Sequence, residues 1–182
     1  MARITFAIAA AAFLAQAASA EPASDDKSGL RIDPPAGYEA KPLPARGANS
    51  VIFQVRKPSD ADTGCQVGYA EAPQNAKLAQ ADINTLMKSK EHQDLAKAAI
   101  ASLYETNSVA AFDHGEVTGI EMISDIKPRK GFPPRAQEIR NMMIILETPK
   151  GRASVVCVGD KKDFDQRQTE FRQLAEGVTL PK

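Results

Sequence analysis

The sequence predicts an α+β protein, in which an antiparallel sheet carries a long middle helix and a C-terminal helix packed on it, α/β/α sandwich-like. Three observations carry that prediction. Apolar residues alternate with polar ones in short runs separated by turn residues, the pattern of half-buried strands. One long central stretch, from Asp82 to Leu103, instead repeats its apolar residues at helical spacing, and a second such stretch, from Asp163 to Ala175, follows the last strand pair. Strands joined by tight turns, with helices set between and after them, give an antiparallel sheet covered by helices.

The chain begins "MARITFAIAAAAFLAQAASA", with Arg3, an apolar stretch from Ile4 to about Ala18, and small residues at Ala18-Ser19-Ala20. This predicts a secretory signal peptide over 1–20, cut before Glu21. A retained anchor fits less well, because the apolar stretch is alanine-rich and shorter than the roughly 18 to 20 residues that span a bilayer. No cysteine follows the cut, so lipid attachment has no acceptor. Residues 21–30, "EPASDDKSGL", are polar and small, and their composition predicts a flexible N-terminal segment. A single α+β domain over 31–182 is expected to follow, since a chain of this length buries roughly 70 % of its unfolded surface and makes one core.

Within that domain, "RIDPPAGYEAKPLPARGANS" carries prolines at 34, 35, 42 and 44, each lacking an amide donor, and so predicts an irregular arm laid across the sheet. "VIFQVRK" is the first regular strand, with Val51, Phe53 and Val55 on one face. After the turn residues "PSDADTG", "CQVGYAEA" resumes the alternation with Cys65, Val67 and Tyr69 together, giving a hairpin. Asp82 is the expected N-cap of the long helix, whose stripe is Ile83, Leu86, Met87, Leu95, Ala98, Ala99 and Leu103, with a break near Lys90. Asp113-His114-Gly115 marks a tight turn between two further strands. "EIRNMMIILETP" and "RASVVCVGD", joined at Pro149-Lys150-Gly151, are nearly continuously apolar and predict central strands covered on both faces. The closing helix places Phe164, Arg167, Phe171 and Leu174 on one side and stops at Gly177.

This order of elements, from "IDPPAGYEAKPLP" through "ADINTLMKSKEHQDLAKAAIASL" to "FDQRQTEFRQLAEGV", resembles that of PsbP-like α/β/α sandwich proteins. The resemblance implies a sandwich fold and a non-catalytic accessory or assembly role. It transfers no site residue.

Charge excludes some partners. The full chain holds 23 basic and 23 acidic residues, and losing Arg3 with the leader leaves 22 against 23, a balance with no global field to attract nucleic acid or an anionic membrane. No second apolar segment is long enough to span a bilayer after the leader is removed.

The two cysteines, Cys65 and Cys157, lie on inward strand faces. A nucleophile needs an exposed, electropositive setting with a base, and a metal needs several ligands at suitable spacing. Neither pattern is present, whereas an oxidising compartment favours a structural disulfide between them. Such a bond requires the two strands to be neighbours with α-carbons within about 7 Å. His92 and His114 have no second histidine at ligand spacing and are read as solvated. Met87 falls on the helix stripe, and adjacent Met142 and Met143 point to opposite sheet faces, so these and Met122 are read as core and not as a copper site. No metal and no cofactor are expected.

Catalytic motifs are absent: there is no G-x-S-x-G, H-E-x-x-H, P-loop or dinucleotide glycine set. The acid pairs Asp60/Asp62 and Asp163/Asp165 sit where turns and helix caps explain them. The most distinctive surface feature is "KPRKGFPPRAQ", whose Lys127, Arg129, Lys130 and Arg135 surround Phe132 in a rigid proline-rich loop. It is the candidate partner-binding loop. The function expected is a non-enzymatic periplasmic or secreted binding module with a protein or envelope partner, the alternative being a small hydrolase or thiol-redox enzyme whose site forms only on folding.

Overall fold

A computed structural model describes residues 21–181. The expected leader, 1–20, lies outside the described residues. In chain order the elements are β1 (Ala23–Asp25), β2 (Leu30–Ile32), β3 (Glu39–Leu43), β4 (Val51–Arg56), β5 (Gly64–Glu71), α1 (Gln80–Lys88), α2 (Lys90–Ile100), β6 (Tyr104–His114), β7 (Val117–Ile126), β8 (Ile139–Glu147), β9 (Gly151–Asp160), α3 (Phe164–Glu176) and β10 (Val178–Thr179). Seven strands form one antiparallel sheet in the order β3-β4-β5-β9-β8-β7-β6. β1, β2 and β10 make a second, small sheet. The fold is α+β, as the alternating and helical periodicities predict.

The inward faces of β5 and β9 are the ones that the alternation selects. Cys65, Val67 and Tyr69 stand opposite Cys157, Val155 and Ala153, and these rows continue outward through Phe53 and Val55 on one side and Met142, Ile144 and Leu146 on the other. All belong to one buried cluster with Phe164, Phe171 and Leu174 of α3, joined by Leu30, Ile32 and Val178 of the small sheet. The opposite face carries a second cluster, where Ile83 and Met87 of α1 pack on Ile120 and Met122. Met142 and Met143 fall in different clusters, as adjacent residues of a strand must.

Several expectations are corrected. Residues 23–25 form β1 and pair with β2, so the segment expected to be a flexible tether is strand-paired; backbone hydrogen bonding and a small sheet beneath it override its polar composition. The proline-rich arm contributes β2 and β3, and Pro42 is tolerated because β3 is an edge strand. The break expected near Lys90 is present: Ser89 ends α1 in an extended conformation, and its hydroxyl caps α2, which begins at Lys90, by accepting from the His92 amide at 3.2 Å. α1 begins at Gln80, so Asp82 is a first-turn acid and not the N-cap. Of the predicted stripe, Ile83 and Met87 are buried, while Leu86, Leu95 and Leu103 are 45 %, 61 % and 40 % exposed. Ser89, extended between the two helices, interrupts the helical phase, and no residue of α2 is fully buried, so one continuous buried stripe does not exist.

Candidate functional site

The candidate loop leaves β7, and its chemistry is decided by where its cations reach. Lys127 donates from Nζ to the Ala101 carbonyl at 2.7 Å and from its amide to the Leu103 carbonyl at 2.9 Å, and Arg129 donates to the Ser102 carbonyl at 3.2 Å. Ala101 is the C-cap of α2, so two positive side chains meet the negative end of that helix. Arg135 turns the other way, forking onto Asp62 at 2.8 and 2.9 Å and also meeting Asp160 and Glu138. Three of the four predicted loop cations are therefore fastened within the chain. The side chains left facing outward are Phe132, 41 % exposed, and Lys130, and Leu103, whose carbonyl accepts from the Lys127 amide, is exposed as well.

The result is a corner in which the loop, the end of α2 and the start of β6 are stitched together. Gly131 and Arg129 turn the chain, with the Phe132 amide donating to the Arg129 carbonyl at 3.2 Å, and this presents the phenyl ring on a fixed backbone. Leu103 is the residue that sequence reasoning misplaced: its helical spacing assigns it to a core stripe, but α2 ends at Ile100. The Ser89 hydroxyl is the signal that marks the true helix start.

Two other parts of the surface gather polar groups. A cleft of about 670 Å³ opens at the turn end of the sheet, with Val117, Val178 and Leu180 as apolar wall and His114, Glu116 and Lys150 at its rim. His114 is half-buried and not solvated, because β6 runs through it and brings Nε2 to 2.7 Å from the Val178 carbonyl. On the other side, Arg167 of α3 meets Asp60 at 3.0 Å and lies over the rings of Tyr38 and Phe171, while Glu170 accepts from Tyr38 at 2.7 Å and Lys57 at 2.8 Å. Burial opposes the charge on Asp60 and on Glu170, but Arg167 and the Lys57 amide for the first, and Lys57 and Tyr38 for the second, hold both carboxyls below their usual range. Burial, then the bond to Glu170, raises Tyr38. Every charge in this cluster faces a partner, so it ties α3 to the loop after β4 and to Tyr38 just before β3.

Cys65 and Cys157 sit directly opposite one another in neighbouring strands, at disulfide distance and with α-carbons 4.0 Å apart. Both are buried beneath α3. A substrate reaching the sulfurs would have to displace that helix, so the geometry is that of a structural link and not of a thiol-redox centre.

No family model matches the sequence, and no curated protein does either. Solved structures do share the fold. The solution structure of cyanobacterial PsbP (CyanoP) from Synechocystis superposes with a TM-score of 0.58 at 14 % identity, over 95 % of this chain and 98 % of that one. A Bacteroides thetaiotaomicron protein aligns with a TM-score of 0.54 at 9 % identity, over 90 % of this chain and 49 % of its own, so this chain spans about half its length. At these identities the likeness is one of fold, and the fold is the PsbP-like one that the order of elements implies.

Proposed function

We propose that the chain is an exported, non-enzymatic accessory module that docks on a partner protein through the corner formed by Leu103, Lys130 and Phe132. One observation carries this reading: two large apolar side chains stay exposed on a backbone that Lys127 and Arg129 pin to the end of α2. Holding apolar groups outward on a rigid frame lowers the ordering cost of association, and aromatic anchors flanked by a cation are typical of binding hot spots. Lys130 adds a preference for a partner with acidic groups around an apolar contact. The export element rests on the N-terminal leader sequence and on a cystine pair suited to an oxidising compartment. The resemblance of element order to accessory proteins points the same way.

The test is a photo-crosslinking residue placed in living cells at Leu103, at Phe132 and, as a control on the far edge of the sheet, at Lys41. A common adduct from the first two positions that is absent from the third, and weakened by Lys130→Glu, is the expected result. Adducts missing from both corner positions, or equal at all three, would remove the corner as the docking site.

A further inference from the structure

We propose that β6 is an assembly edge, and that its partner is β6 of a second copy of this chain, paired antiparallel about a two-fold axis. This goes beyond the docking corner and stands or falls separately from it.

The two edges of the seven-stranded sheet are built differently. β3 is five residues long and carries Glu39, Lys41 and Pro42, the charged and proline residues with which sheets protect an edge against pairing. β6 is eleven residues long and contains no lysine, arginine or proline. Its outward backbone groups have no strand beside them among the described residues. Ser108, Ala110 and Ala111 are exposed and small, so the donors and acceptors along this stretch are not screened by side chains. A bulge between Thr106 and Ser108 interrupts the register near the start, leaving Ser108–His114 as a regular seven-residue run.

That run is compatible with itself. Antiparallel pairing centred on Ala111 sets Ala110 opposite Phe112, Val109 opposite Asp113 and Ser108 opposite His114, so no like charges meet directly. Asp113 is already countered by Lys88 at 3.4 Å and bonded by the Thr118 hydroxyl at 2.7 Å. A two-fold axis normal to the sheet continues the helix layer on one face and brings α2, which packs on β6, against α2 of the second copy. α2 is suited to that neighbour, because none of its residues is fully buried and Leu95 is 61 % exposed. The blunted β3 edges are left at the two outer ends of the joined sheet. One open edge and one protected edge make a closed dimer and not a growing fibre.

Analytical ultracentrifugation of the mature protein across micromolar to submillimolar concentrations tests this, together with Ala110→Pro and Ala111→Pro made separately. Neighbouring amides of a strand point to opposite edges, so one of these prolines removes an outward donor and the other breaks the ladder with β7. The expected result is a wild-type dimer and one proline variant that keeps its melting temperature but sediments as a monomer. A wild-type monomer throughout, or a dimer that survives in the stable proline variant, would overturn the proposal. Should both variants unfold, hydrogen exchange on the wild type decides: outward amides of Ser108–Phe112 become protected as concentration rises, and exchange independent of concentration would overturn the pairing.

Discussion

Two glycines show how differently one residue type is used. Gly177 caps α3 with φ of −76°, an ordinary value, so conformational freedom is not its purpose. A Cβ there would sit 2.1 Å from the Asp33 carbonyl oxygen, at the point where the Asp33 amide donates to the Gly177 carbonyl. Gly115, in the turn between β6 and β7, has φ of +59° and open space around it. Gly177→Ala is therefore expected to cost about 3 kcal/mol through a backbone clash, and Gly115→Ala only about 1 kcal/mol through a left-handed alanine. Urea unfolding of both variants checks the order, and equal losses would contradict it. The sequence identifies Gly177 as a helix stop, but its packing against Asp33 depends on a strand that the composition of the N-terminal segment hides.

At the scale of elements, the strands were legible and the helix layer less so. Alternation at Cys65, Val67 and Tyr69 and at Ala153, Val155 and Cys157 fixed which faces turn inward, and two cysteines on such faces implied neighbouring strands. The break near Lys90 was legible and stands at Ser89, but helical spacing misled on burial, because Leu86, Leu95 and Leu103 recur at the right intervals and are exposed. Positions of loop cations were not legible at all: Lys127 and Arg129 find partners 26 and 27 residues away, at Ala101 and Ser102, and Arg135 finds its own 73 and 25 residues away, at Asp62 and Asp160. The cystine closes a separation of 92 residues, and a double Cys65→Ala, Cys157→Ala variant is expected to lose about 4 to 5 kcal/mol by the loop-closure model. Denaturant titration of the variant measures it, and a loss near zero would mean that the β5–β9 pairing needs no covalent help.

For the molecule as a whole, acid is the condition to which its ion pairs are most sensitive. Asp60, Glu170 and Asp125 are each held below the usual carboxylate range, Asp125 chiefly by its bonds from Arg140 at 2.8 and 3.0 Å. A carboxyl depressed in the folded state stabilises wherever pH exceeds its unfolded value near 4, and that stability is lost as pH falls through the lower folded value. Thermal melting is expected to be flat between about pH 5 and 8 and to drop steeply below about pH 4. A melting temperature unchanged down to pH 3 would show that these pairs contribute nothing net.

The seam between β5 and β9 also orders events in time. β3, β4 and β5 pair with their neighbours in sequence, as do β6, β7, β8 and β9, so each half of the sheet zips through local antiparallel pairings. Joining the halves is the one pairing in the large sheet that must close a long span of chain, and such contacts form late. The two thiols meet only when that joining succeeds. With no third cysteine to pair wrongly, oxidation of this chain acts as a clock for its slowest assembly step, and a thiol-trapping time course would read that step directly.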